Sequence, residues 1–75
     1  MTPKQAQVLT ALRNNWESTS TINDEKWGSV YLDNARPDGM SNRTFGAVLG
    51  SLAKAGVYKH MQDDRGGVFF GLVKL

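Results

Sequence analysis

Apolar residues first recur at helical spacing close to the start of the sequence. Successive apolar positions lie one, three and four residues apart, which places them on one face of a helix. They are Val8, Leu9, Leu12 and Trp16. Thr2 supplies a hydroxyl that can cap the helix, and the following Pro3 has the φ angle of a first helical residue. The pattern predicts a first helix over about residues 3–16, with this face in the core.

A second helix is predicted over about residues 24–35. Asn23 or Asp24 is placed to cap it, and it must end before Pro37, because the residue that precedes a proline disfavours helical geometry. Its apolar side consists of Trp27, Val30, Tyr31, Leu32 and Ala35. At helical spacing beside other apolar residues, aromatic side chains belong to the core more often than to a base-stacking platform. We therefore expect Trp16, Trp27 and Tyr31 in the core.

The clearest helical pattern follows Ser41, which is placed as its cap. Four apolar residues there fall at positions i, i+3, i+4 and i+7. They are Phe45, Val48, Leu49 and Leu52. Gly56 has the residue type that favours a left-handed helix end. The pattern predicts a third helix over about residues 42–55.

Beyond Gly56 the apolar residues take up the spacing of strands. Strands are predicted over about residues 57–62 and 68–74. Asp63 and Asp64 precede Arg65 and two adjacent glycines, a composition typical of a hairpin turn. Earlier in the chain, the segment STSTI predicts at most one short strand. The C-terminus is therefore predicted to be a β-hairpin.

The predicted order of helix, short strand, helix, turn, helix and hairpin describes one α+β domain over residues 1–75. Its most specific segment is SNRTFGAVLGSLAKAGVYKH, which resembles the winged helix-turn-helix family. In that family a capped recognition helix carries a leucine, then a glycine, and runs into the first strand of the wing. Leu52, Gly56, Val57 and Tyr58 match this pattern. The resemblance implies three helices followed by a C-terminal hairpin wing, with the third helix in the major groove of DNA.

That resemblance assigns candidate DNA-binding residues to the third helix and its surroundings. Asn42 and Arg43 have side chains that read base edges, since asparagine pairs with adenine and arginine with guanine. The other candidates are Arg36, Ser41, Ser51, Lys54, Lys59 and Arg65. The four lysines and arginines among them are expected to meet phosphates. Asp63 and Asp64 oppose this role at the hairpin tip, because carboxylates repel phosphate.

The last predicted strand is apolar on both of its faces, whereas a solvent-facing wing has one polar side. The candidate protein-interaction residues on it are Phe69, Val73 and Leu75. Either the first helix, a second copy of the chain or another protein is expected to cover the outer face.

Composition narrows the possible functions. Nine lysines and arginines against seven acidic residues give a formal net charge of +2, which permits nucleic-acid binding. The sequence has no cysteine for a disulfide or a thiolate metal site, and its one histidine, His60, has no neighbouring ligand or nucleophile. No catalytic constellation can be assembled, so we predict neither an enzyme nor a cofactor or metal site.

The beginning of the sequence lacks a basic segment followed by an apolar one, and no apolar run approaches the roughly 18 residues that cross a membrane. These features predict a cytoplasmic protein without a membrane partner. The predicted function is a small DNA-binding regulator that binds double-stranded DNA, as a monomer or a homodimer. The alternative is a protein-interaction module on the same scaffold, such as an accessory protein of a phage or mobile element.

Overall fold

The structure, a computed structural model, describes residues 1–62 and 69–75, with only the backbone of Gln62 and Phe69. Within these residues there are three helices and four strands. In chain order they are α1 (Pro3–Asn14), β1 (Ser18–Ile22), β2 (Glu25–Tyr31), α2 (Leu32–Ala35), α3 (Asn42–Lys54), β3 (Tyr58–Gln62) and β4 (Phe69–Lys74). The strands form one antiparallel sheet in the order β1-β2-β4-β3. The α+β class is confirmed, but the predicted order of three helices followed by a C-terminal hairpin is wrong.

The largest error concerns residues 24–35, predicted as a helix, where the chain forms β2 and only one helical turn, α2. Asn23 and Asp24 have φ angles of 52° and 64° and form a two-residue turn between β1 and β2, not a helix cap. Asparagine and aspartate tolerate this left-handed geometry, which a type I′ hairpin turn requires at both central residues. The short strand predicted at STSTI is present as β1, with β2 as its hairpin partner.

Helix α1 begins as predicted but ends at Asn14, two residues early. The Thr2 hydroxyl accepts a hydrogen bond from the Gln5 amide, and the Gln5 side chain accepts one from the Thr2 amide. This reciprocal pair satisfies two backbone donors at the helix start. Trp16 lies beyond the helix end and is 42% exposed, so its predicted place in the core is wrong.

Helix α3 closely follows the prediction. The Ser41 hydroxyl accepts a hydrogen bond from the Thr44 amide at 3.1 Å, and the four predicted apolar residues are buried. The helix ends at Lys54, and Gly56 then adopts a φ angle of 82°. Because only glycine takes this geometry without steric cost, Gly56 lets the chain turn from α3 into β3.

The helices pack on one face of the sheet, which we call the inner face. Val30, Tyr58 and Val73 lie on this face and join the buried side chains of α1 and α3 in one core. The opposite, outer face contains Trp27 and Leu72, which are buried but lie outside that core. Side chains alternate along a strand, so Trp27 and Val30 point to opposite faces although both are buried.

Candidate nucleic-acid interface

One side of α3 is exposed along its whole length, because the opposite side is buried against α1 and the sheet. We call this side the α3 surface. It consists of Asn42, Arg43, Gly46, Ala47, Gly50, Ala53 and Lys54. Four of these seven residues are glycine or alanine, so the backbone of α3 lies close to its solvent boundary. Of these residues, Asn42, Arg43 and Lys54 were predicted from the sequence as DNA-binding residues, and the four small residues were not.

Gly46 and Gly50 lie one helical turn apart at the centre of the α3 surface. A Cβ atom added to either one would have no described atom within 4 Å, apart from its chain neighbours and the local helix backbone. Gly28 and Gly71, in the sheet, are different, because a Cβ there would come within 2.7 Å or less of a side chain. Glycine in an exposed helix interior costs about 1 kcal/mol relative to alanine. The packing of the described residues therefore does not require glycine at these two positions of α3.

The charges on α3 have a single sign. Its sequence contains Arg43 near the start and Lys54 at the end, and it contains no aspartate or glutamate. Lys4 of α1 lines the same groove as Arg43 and Ala47. The positive end of the helix dipole lies at the Arg43 end, with no acidic residue in the first turn. The charges of α3 itself therefore suit an anionic partner, whereas Asp33 of α2 places one acidic residue in the groove beside Asn42 and Gly46.

Arg36 and Asn42 border a second groove, which also contains Gly46 and His60. The Arg36 guanidinium donates a hydrogen bond to the Met40 carbonyl at 2.6 Å, so part of its role is to hold the loop between α2 and α3. Ser41 likewise has a structural role, as the cap of α3. Arg36 and Ser41 thus lie beside the α3 surface, and hydrogen bonds within the chain occupy some of their polar atoms.

Ser51 was predicted to face DNA, but it is half-buried between α1 and α3. Its hydroxyl accepts a hydrogen bond from the Gln5 side-chain amide at 3.0 Å and donates one to the Val48 carbonyl at 2.7 Å. Ser51 also lines the groove that contains Arg43 and Ala47, so it borders the α3 surface. Its contact with α1 was not predicted, because helical spacing alone does not determine on which side α1 packs.

Lys59 is separated from the α3 surface. It lies on the outer face of the sheet, opposite Leu72, and its ammonium group is 5.1 Å from the centre of the Trp27 ring. At this distance a cation is attracted to the aromatic ring. Arg65, predicted at the wing tip with Asp63 and Asp64, lies outside the described residues. The candidate DNA-binding residues that the structure brings together are thus Asn42, Arg43 and Lys54, with Arg36, Ser41 and Ser51 at the border.

The predicted protein-interaction residues do not form one patch. Val73 is fully buried in the core between the sheet and the helices, so its predicted exposure is wrong. Leu75 is 43% exposed and follows β4, where its amide donates a hydrogen bond to the Lys26 carbonyl. The side chain of Phe69 lies outside the described residues. The apolar character of both faces of β4 arises because Val73 faces the helices while Phe70 and Leu72 face outward.

A row of three large side chains crosses the outer face. Tyr31 of β2 lies opposite Phe70 of β4, which lies opposite Met61 of β3. Tyr31 is 44% exposed, Met61 is 40% exposed and Phe70 is half-buried. The predicted core position of Tyr31 is therefore wrong, and the row gives the outer face an accessible apolar strip.

His60 and Tyr58 are neighbours on the inner face of β3. The Tyr58 hydroxyl and His60 Nδ1 are hydrogen-bonded at 3.0 Å. Burial raises the pKa of Tyr58 to about 12, since it disfavours the charged phenolate. Among residues 1–62 and 69–75, no three histidine, aspartate or glutamate side chains are grouped as a metal site would require. None of the helices in this part of the chain is both long and apolar enough to cross a membrane.

Neither a protein-family model, nor a curated protein, nor a solved structure matches this chain.

Proposed function

We propose that the chain binds double-stranded DNA by placing the α3 surface in the major groove. The observation that carries the proposal is the pair Gly46 and Gly50, which costs the helix stability without serving its packing. Small residues at the centre of an exposed helix face allow another molecule to approach the backbone closely. The cations at both ends of α3, without an acidic residue between them, favour a polyanion as that molecule.

The dimensions of α3 suit this role. An α-helix fits into the major groove of B-DNA, and 13 helical residues extend over about 20 Å. In this arrangement Asn42 and Arg43 face base edges near the start of the helix, and Lys54 meets a phosphate at its other end. Lys4 extends the positive surface beyond α3 and provides a further phosphate contact.

Three lysine and arginine variants test this arrangement by fluorescence anisotropy with duplex DNA. Arg43→Ala is expected to weaken binding and to relax base preference, by about 1–3 kcal/mol at the base concerned. Lys54→Ala is expected to weaken binding to all sequences and to reduce the slope of log K against log salt by about 1. Lys59→Ala is the matched control, since Lys59 lies on the outer face, and it should leave affinity unchanged. Equal losses for Lys54→Ala and Lys59→Ala would contradict the assignment to α3.

The glycines are tested separately, by the double variant Gly46→Ala/Gly50→Ala. Each substitution should raise the free energy of unfolding by about 0.5–1 kcal/mol, because alanine favours the helix and meets open space. The added methyl groups should at the same time weaken DNA binding, since they stand at the point of closest approach. A variant that is more stable and binds DNA as well as the unaltered chain would remove the observation on which the proposal rests.

Protein binding through the outer face is a second candidate function. The accessible strip of Tyr31, Phe70 and Met61 favours it, because exposed apolar rows on a sheet are typical of contact surfaces. The variant Tyr31→Ser/Met61→Ser should remain folded and should lose binding of a fluorescent apolar probe such as anilinonaphthalene sulfonate. Unfolding of this variant would instead show that the strip is needed for stability.

A further inference from the structure

Apart from its pairing with β2, strand β1 has little contact with the rest of the fold. Four of its five residues are exposed and the last, Ile22, is half-buried. It is paired with β2 on one side, and the opposite side is an edge of the four-stranded sheet. The helices pack over the other three strands, so they leave room beside β1. Both the outer edge of β1 and most of its side chains are thus accessible to another strand.

The two edges of the sheet differ in their protection against pairing. Natural proteins shield sheet edges with charged residues, prolines or bulges. Edge strand β3 follows this rule, since it contains Lys59. Edge strand β1 has the sequence Ser-Thr-Ser-Thr-Ile, without a charge or a proline, and it pairs with β2 in one continuous register. Of the two edges of the sheet in the described residues, only the β1 edge therefore lacks a charged side chain that would oppose pairing.

The backbone of β1 also has a defined set of outward groups. The two-residue turn is closed by the pair Ile22 and Glu25, which is hydrogen-bonded in a hairpin of this kind. Hydrogen-bonded and outward residues alternate along an antiparallel strand. Thr19 and Thr21 therefore direct their N–H and C=O groups away from β2, towards the open edge.

We propose that β1 pairs antiparallel with β1 of a second copy of this chain, about a twofold axis at Ser20. This register places Thr19 opposite Thr21 of the second copy, and Thr21 opposite Thr19 of the second copy. Both threonine pairs are then hydrogen-bonded, which satisfies the outward groups with four backbone hydrogen bonds. The two sheets join into one sheet of eight strands.

A second copy fits the β1 edge because the two outward residues, Thr19 and Thr21, lie symmetrically about Ser20. Within the paired segment no charged residue meets a like charge, because residues 18–22 are neutral. The nearest acidic residue before β1 is Glu17, which lies opposite Asn23 of the second copy in this register. Threonine pairs on neighbouring strands are among the favourable cross-strand combinations. The interface is small, so we expect a weak dimer that forms at concentrations of about 100 μM.

A pair of double variants tests both the surface and the register. Thr19→Lys/Thr21→Lys places two lysines opposite each other on each side of the axis, and should weaken dimerisation about tenfold or more. Thr19→Lys/Thr21→Glu places a lysine opposite a glutamate instead, and should keep the dimerisation constant within about threefold. Both positions are exposed, so either variant should fold, which circular dichroism checks.

Sedimentation equilibrium up to about 1 mM gives the mass of each protein. The proposal predicts dimers for the unaltered chain and the lysine/glutamate variant, and a shift to monomer for the lysine/lysine variant. Thr21→Pro gives an independent check, since it removes one outward donor without breaking a β1–β2 hydrogen bond, and it should also be monomeric. A monomeric unaltered chain would overturn the proposal. A dimer that persists in the lysine/lysine variant would also overturn it, because such a dimer would use another surface, such as the outer face. Equal weakening of dimerisation in the two double variants would overturn it as well. None of these positions lies on the α3 surface, so the result is independent of DNA binding.

Discussion

The close contact between Gly71 and Tyr58 makes one substitution unusually informative. A Cβ atom added to Gly71 would overlap with Cε1 and the hydroxyl oxygen of Tyr58, and would lie 2.6 Å from Cζ. Contacts this short are not tolerated, so in Gly71→Ala either the ring or the strand must move. Tyr58 is only 2% exposed, and its hydroxyl is hydrogen-bonded to His60, so the ring has little freedom.

The expected cost follows from three contributions. Forcing an extra methyl group into a packed site costs about 1–3 kcal/mol. Displacing the Tyr58 hydroxyl from His60 costs about 1 kcal/mol more, as the loss of one hydrogen bond. The reduced entropy of the unfolded chain with alanine returns about 0.4–1 kcal/mol. We therefore expect Gly71→Ala to lower the free energy of unfolding by about 2 kcal/mol, equivalent to about 10 °C in Tm for a domain of this size.

Chemical denaturation monitored by circular dichroism measures this cost, and a double-mutant cycle identifies its origin. In a Tyr58→Leu background the ring is absent, so Gly71→Ala should cost less than about 0.5 kcal/mol there. The control variant Gly50→Ala has no described atom near the new methyl group and should be stabilising. A loss below about 0.5 kcal/mol for Gly71→Ala, or an equal loss in both backgrounds, would refute the reasoning.

Two further predictions concern titration and the β1–β2 turn. Because burial raises the folded-state pKa of Tyr58 from 10.0 to about 12, its contribution is complete below pH 10 and is lost as the pH rises towards 12. Between pH 10 and pH 12, the free energy of unfolding of the unaltered chain, measured by urea denaturation, should fall more steeply than that of Tyr58→Phe. The difference in slope should be at most about 1.4 kcal/mol per pH unit. Parallel curves for the two proteins would contradict this prediction. Asp24→Gly should raise the thermal midpoint of unfolding, because glycine adopts the φ angle of 64° without steric cost. The expected net gain in the free energy of unfolding is about 0.5 kcal/mol. A lower midpoint would argue against a left-handed turn.

The sequence predicts an element well where one periodic signal dominates. Helix α3 has a cap, a four-residue apolar face and a terminal glycine, all of which agree, and the structure follows them. In β2 the signals conflict, because Trp27 and Val30 are both buried but on opposite faces of the sheet. This removes the alternation of polar and apolar residues by which a strand is usually detected, and the remaining three-residue spacing imitates a helix.

The candidate site was predictable only in part, for a related reason. Asn42, Arg43 and Lys54 follow from the periodicity of α3, because they lie opposite its buried residues. The positions of Ser51 and Lys59 depend on tertiary packing, namely on where α1 lies against α3 and on the register of β3 against β4. The significance of Gly46 and Gly50 also required the structure, since only the packing shows that nothing described in the fold occupies the space beside them.

The most direct test of DNA binding through the α3 surface is an NMR titration of the ¹⁵N-labelled chain with a mixed-sequence DNA duplex at low salt. The account predicts that the largest amide shift changes fall within residues 42–54, including Gly46 and Gly50, that β1 and the outer-face strip change little, and that the changes diminish as salt is added. The absence of shift changes at an excess of duplex, or changes centred on Tyr31, Met61 and Phe70, would contradict it.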